Sequence, residues 1–330
     1  MIDSTSRPPD PAGPAPGMAP VRRGGVDAVV FGPHGVRAGW RILAFTLLMM
    51  ALGGAMYPLL VAVIAPNGGS LELLLVQVVV LLASSLVAGW VMLAFVDRRR
   101  PAALGFALDP AAARDSVVGF ATGGGMLGAA AALLAVAGMA RWVADTGSAW
   151  EYVAALARSL AFFALAAAAE EAVFRGYAFQ ALVQGIGAWP AMLATSALFA
   201  WGHANNPQVT AVALANIFLA GVMLAVAYLR TRSLWFATAV HLGWNWTMQS
   251  LLGFPVSGLN EFDTPLYDVR ELGPDVVTGG AFGPEAGVLA TLAIIAGTVW
   301  MWRTPFLGPS ERMTALRPLV DTRLGPRRVA

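Results

Sequence analysis

"AAAAEEAVFRGYAFQALV", residues 166–183, sets two glutamates and an arginine inside an otherwise apolar run. The surroundings of that run decide the fold. The chain has 330 residues, of which 58% are hydrophobic and only 12% charged, and its mean hydropathy is +0.67. Soluble domains carry about a quarter charged residues, so this chain lies outside that class. Apolar stretches long enough to cross a bilayer recur between Trp40 and Phe306. The expected fold class is therefore all-α, a polytopic membrane helical bundle.

Eight spans are expected, at about 41–65, 71–96, 116–140, 152–183, 189–206, 209–229, 234–253 and 285–306. Residues 1–39 are rich in Pro, Gly and Arg and lack apolar periodicity, which reads as a disordered cytoplasmic tail. Residues 40–307 form the membrane domain and 308–330 a basic cytoplasmic tail. With the N-terminus in the cytoplasm, Arg22, Arg23, Arg37, Arg41, Arg98 to Arg100, Arg230, Arg232 and the terminal "PRR" all fall inside. Arg141 and Arg270 fall outside. That asymmetry, with both termini cytoplasmic, matches the positive-inside rule and an even span count.

Several function classes drop out at once. There is no cysteine, which excludes disulfides, thiolate metal ligands and a cysteine nucleophile. A net charge of +2 gives no reason to expect a nucleic-acid partner; the bilayer is the partner that composition implies. Every basic residue is arginine and none is lysine. With the Ala and Gly excess, this points to a GC-rich bacterial genome and hence to the bacterial inner (cytoplasmic) membrane.

Ionisable side chains at mid-bilayer cost about 2.5–3.5 kcal/mol each on insertion scales, so each needs a reason. Glu170 and Glu171 are the acids that lie deep within a span. Of three histidines, His34 is in the tail, whereas His203 ("FAWGH", 199–203) and His241 ("HLGWN", 241–245) fall in spans. Glu171 and Arg175 are four apart and can pair on one helix face. Glu170 is turned about 100° from Glu171 and is left free. His241 and Asn245 are likewise four apart, and Gly202 and Gly243 beside the histidines permit close helix approach.

A rise of about 1.5 Å per residue puts Glu170 about 20 Å from the cytoplasmic end of its span. The same measure gives about 21 Å for His203, 11 Å for His241 and 17 Å for Asn245. Three helices thus bring polar groups to compatible depth, as one shared, water-accessible cavity requires. A purely structural ion-pair knot explains Glu171 and leaves Glu170 without a role. A core histidine bonded to a backbone carbonyl is the plain alternative for His203 or His241. Asn216 reads as interhelical glue, and the glycine run 123–125 as helix packing.

A carboxylate in such a cavity can act as general base. Glu170, assisted by His203, would deprotonate water for attack on a peptide carbonyl. His241 and Asn245 would donate hydrogen bonds to the oxyanion. Glu170, His203 and His241 would also make a legitimate zinc set with an open position, but no HExxH helix is present, and a ligating His241 nitrogen could not serve an oxyanion. Metal-independent catalysis is favoured. Two other classes remain: a non-catalytic membrane scaffold or immunity factor, which would tolerate Glu170→Gln, and an ion-coupled transporter using Glu170 as relay. The lack of visible internal repeats counts against the transporter.

The set "EEAVFR", "FAWGH" and "HLGWN", in that order, resembles the CPBP family: CAAX prenyl protease 2 type endopeptidases, lysostaphin resistance protein A-like proteins and bacteriocin-processing relatives. The resemblance covers about 150–250, and the "LGF" at 104–106 is also similar to family sequences. It implies an endopeptidase acting within the membrane on a membrane-associated peptide or protein. It further implies that Glu170 and His203 activate water and that His241 and Asn245 hold the oxyanion, with Glu171 and Arg175 in supporting positions.

Overall fold

The structure, a computed structural model, describes residues 25–33 and 35–325. Most of the expected N-terminal tail, His34 and the terminal "PRR" lie outside the described residues. Contacts divide the chain into two units, residues 1–37 and 38–330. In the first, helix α1 (Val26–Val30) leads into a short antiparallel pair, β1 (Phe31–Gly32) and β2 (Gly35–Val36).

The second unit is helical. Its long elements are α2 (Ala38–Ile64), α3 (Ser70–Val91, continued by a π-helical turn, Met92–Val96), α4 (Pro110–Val136) and α5 (Ala149–Phe174). Then come α6 (Tyr177–Ile186), α7 (Ala188–Gly202), α8 (Ala211–Thr231) and α9 (Leu234–Trp246), which runs into a π-helical turn at Thr247–Leu251. After β3 (Ala140–Ala144) and β4 (Tyr267–Glu271) pair antiparallel, the chain adds α10 (Asp275–Thr278), α11 (Val288–Arg303), α12 (Glu311–Leu316) and α13 (Asp321–Leu324).

Helices fall on all eight segments expected from hydropathy. Five are long and apolar enough to cross a membrane: Ala38–Ile64, Ser70–Val96, Pro110–Val136, Ala149–Ile186 and Ala211–Thr231. The others are shorter, with 15 residues in α7, 13 in α9 before its π turn and 16 in α11. The expected span 152–183 is broken at Arg175–Gly176, where a Cβ on Gly176 would overlap the carbonyl oxygen of Ala172. α5 alone, at 26 residues, is about 39 Å long and already exceeds the ~30 Å hydrocarbon core.

Local chemistry sets the helix starts. Asp109 caps α4 through the Ala112 N–H, with Pro110 in the first turn. Ser148 and Glu151 form a reciprocal capping box on α5. Thr210 and Ser233 cap α8 and α9. Small residues then decide packing. Cβ atoms on Gly119, Gly123 and Gly243 would overlap the carbonyls of Phe236, Val240 and Phe120, so α4 and α9 lie backbone to backbone. Gly123 and Gly124 thus pack as the glycine run implied, whereas Gly125 faces open space. Gly202 has nothing within 4 Å of a built Cβ, which corrects its expected role in close helix approach.

Gly105, at φ +126°, bends the connector before α4 so that its carbonyl accepts the Leu234 N–H at 2.9 Å. That bond anchors the start of α9. Asn216 ties α8 to the segment leading into α11. Its amide donates to the Glu285 and Gly287 carbonyls at 2.7 and 3.1 Å, and its oxygen accepts from Thr291 at 2.7 Å.

Arg41 on α2 pairs with Asp97 at 2.5 Å and reaches Gln184 of α6; Asp97 also accepts from the Tyr177 hydroxyl at 2.7 Å. Arg232 pairs with Asp321 at 2.8 Å, and Arg230 donates to the Thr304 and Leu307 carbonyls. Residues 308–325, read from composition as a basic tail, fold back here, burying Met313, Leu316, Leu319 and Val320.

Candidate active site

The glycine contacts with α4 fix the rotation of α9. Gly243 and Val240 face α4, so the helical period turns His241 and Asn245 to the other side, toward α5. There Glu171, fully buried near the end of α5, meets two donors on one carboxylate oxygen. Arg175 Nη1 and His241 Nδ1 each lie 3.0 Å from Oε1. Arg175 also donates to the Gly221 carbonyl of α8 at 3.0 Å, and its guanidinium lies 4.7 Å from the centroid of the Phe199 ring of α7. One ion pair thereby joins α5, α7, α8 and α9.

Glu170 stands apart from that knot, as the 100° turn between neighbours requires. Its side chain is 30% exposed, and its Oε2 lies 3.8 Å from His241 Nε2. That oxygen is buried and has no hydrogen-bond partner, an arrangement costly enough to call for a function. His203 sits at the C-cap of α7 rather than within a longer helix, because α7 ends at Gly202. Its Nδ1 donates to the Phe199 carbonyl at 2.8 Å, which leaves Nε2 without a proton on the neutral ring.

Glu170, His203, His241 and Asn245 all line one cavity of about 420 Å³ between α3, α5, α7, α8 and α9. Its walls are largely apolar, from Phe162, Phe163, Phe174, Phe199 and Trp244 among others. Glu171 and Arg175 do not line it; they lie behind His241. The structure thus brings together the four residues singled out from the sequence and keeps the supporting pair in the second layer.

Other polar groups at this cavity were missed by sequence reasoning. Ser257 donates to Glu285 Oε2 through both its N–H, at 2.9 Å, and its hydroxyl, at 2.7 Å. Asn206 donates to the Ser257 carbonyl at 3.0 Å, and all three residues line the cavity. Asn206 and Ser257 sit in turns and Glu285 in a single 3-10 turn, all too short for periodicity, so no spacing rule pointed to them. The Glu171–His241 contact was missed because it joins residues 70 apart in sequence.

The residues do not fit the zinc set considered from sequence. Among the described residues no group of three His, Asp or Glu side chains could hold a metal ion.

No curated protein and no solved structure matches the chain. Residues 152–247 match the family model described as "Type II CAAX prenyl endopeptidase Rce1-like". That segment runs from the first turn of α5 to the start of the last π turn and contains all three motifs. Together with the apolar helices it makes this a multi-pass membrane protein whose motif-bearing segment is similar to the type II CAAX prenyl endopeptidase Rce1-like family.

Proposed function

We propose that the protein is an intramembrane endopeptidase that hydrolyses peptide bonds of membrane-associated substrates with a glutamate- and histidine-activated water. The observation that carries this reading is the unpartnered Glu170 Oε2 beside His241 in a cavity that His203 and Asn245 also line. Glu170 takes a proton from water while His203 Nε2, bare because Nδ1 is bound to Phe199, accepts the water's other hydrogen bond. The new O–C bond turns the peptide carbonyl into an oxyanion. The Asn245 amide donates to that oxyanion, as does His241 Nε2 when the ring carries both protons, the state in which Nδ1 still donates to Glu171. The C–N bond then breaks, and Glu170 returns its proton to the leaving amine, so atoms and charge balance.

Glu171 and Arg175 orient His241 and fix α5 against its neighbours. The matched family's name supports a substrate of the CAAX type. The arginine distribution supports eight crossings with both termini in the cytoplasm, and composition supports a bacterial inner membrane.

The experiment compares the termini of membrane proteins in the native host, wild type against Glu170→Gln and His203→Ala. New N- or C-terminal ends should vanish equally in both variants at unchanged protein level. Identical termini in wild type and variants, where deletion gives a phenotype, would move the function to a scaffold or transporter.

A further inference from the structure

A second cavity lies where α3, α8 and α11 end. It encloses about 1180 Å³ and is lined by Arg99, Arg114, Arg317 and Phe306, among others. An adjoining hollow of about 440 Å³ shares Arg99 and Arg317 and adds Arg98, Arg100 and Arg312. Such a concentration of one charge needs either internal partners or an external one.

The acids nearby are largely committed, two to arginines outside the cleft and one to the cleft's own Arg114. Asp97 is taken by Arg41 and Tyr177, Asp321 by Arg232, and Asp115 by Arg114. Glu311 remains as one exposed acid on the wall. Among the described residues, Arg98, Arg99, Arg100, Arg312 and Arg317 have no carboxylate within ion-pair distance. Arg99 is also half-buried, and its pKa is lowered from the ordinary guanidinium value, chiefly by desolvation and further by Arg317 and Arg41. Asp97 and Asp321 oppose that shift without cancelling it. A second anion here would relieve the repulsion.

The apolar part of the wall identifies the kind of anion. Phe306 follows the end of α11 and is 83% exposed. Nearby, Trp302 of α11 packs on Trp189 at 5.5 Å between ring centroids, and both remain exposed. Exposed aromatic rings at helix ends mark the headgroup level of a bilayer. A guanidinium cluster suits a phosphate, and a phosphate whose cavity is edged by an exposed aromatic at that level is best supplied by a lipid.

We infer that the cleft formed by residues 97–100, 305–317 and Arg114 binds a phosphate-bearing anion, namely the headgroup phosphodiester of an anionic phospholipid, with Phe306 against its acyl chains. The site is separate from the Glu170 cavity and does not depend on the peptidase reading.

The test uses the full chain purified in neutral detergent, titrated with phosphatidylglycerol, phosphatidylcholine or inorganic phosphate. Binding is read by native mass spectrometry and by the melting temperature. Phosphatidylglycerol should be retained and raise the melting temperature, while the other two should do neither. An arginine near the surface contributes about fivefold to anionic-lipid affinity, so Arg99→Gln with Arg317→Gln should weaken binding roughly 25-fold. The corresponding double Lys variant should keep most of it, and Phe306→Ser should weaken lipid binding without removing charge. If the Gln pair lowers the melting temperature in the absence of lipid, the exposed pair Arg100→Gln with Arg312→Gln gives the same reading. Equal phosphatidylglycerol binding by wild type and the Gln pair, or equal retention of phosphatidylcholine, overturns the site. Inorganic phosphate acting as well as the lipid would keep an anion site and overturn the lipid.

Discussion

Glu170 and Glu171 are chemically identical neighbours with opposite environments, and their amides should separate fold from activity. Glu171→Gln leaves the fully buried Arg175 without its counter-charge and removes the carboxylate that holds His241 Nδ1. Breaking a buried ion pair on one side costs about 3–5 kcal/mol, so this variant should melt earlier and lose activity with its fold. Glu170→Gln removes no hydrogen bond. It should melt like wild type, yet lose roughly 10²–10⁴-fold in cleavage rate as a missing general base. Thermal unfolding in micelles beside a cleavage assay checks both. At this scale much was legible: i,i+4 spacing found the Glu171–Arg175 pair and the His241–Asn245 face. The Glu171–His241 bond was not, because helical spacing says nothing about which face of another helix arrives opposite.

Among elements, the α4–α9 contact holds the site. A methyl on Gly243 would enter the Phe120 carbonyl, backbone that cannot move aside. Gly243→Ala should therefore push α9 away from α4 and cost about 1–3 kcal/mol by overpacking, with a matching fall in activity as His241 and Asn245 shift. Gly202→Ala, beside the other histidine, meets open space and should leave melting temperature unchanged or slightly raised. Melting temperatures of the two purified variants decide it. Composition gave both glycines the same meaning, since a small residue beside a polar one looks alike whether it touches a helix or faces a cavity. Hydropathy located every long helix, but it missed the break at Arg175–Gly176, where apolar residues continue on either side and only backbone geometry changes. It also missed the β3–β4 pair, whose strands are separated by five helices.

For the whole molecule, the two sides of the second unit are held by different physics. On the arginine-rich side, the positive-inside rule counted Arg41, Arg230 and Arg232 as topological signals. They are also buried structural groups, and the Arg232–Asp321 ion pair pins the C-terminal segment to the end of α8. Asp321→Asn should release that segment, and limited proteolysis should then cut near residues 317–325 well before the membrane domain.

The opposite side is held by the β3–β4 pair, where Glu271 ends the ladder and accepts the Gly280 N–H at 3.1 Å. Burial raises its pKa above the usual carboxylate value, the nearby Asp275 adding to the rise against the hydrogen bonds from Thr278 and Gly280. The folded segment therefore holds this proton to higher pH than the unfolded segment does. Between the two pKa values the folded form binds more protons, so stability falls as pH rises through that window. Hydrogen exchange of the 140–144 and 267–271 amides, corrected for the intrinsic rate, should show protection that is highest on the acid side and declines as Glu271 ionises. Glu271→Gln keeps an oxygen for the Gly280 N–H and removes the titration, so the pH dependence should flatten. If the decline persists in Glu271→Gln, some other group on this side controls the loop.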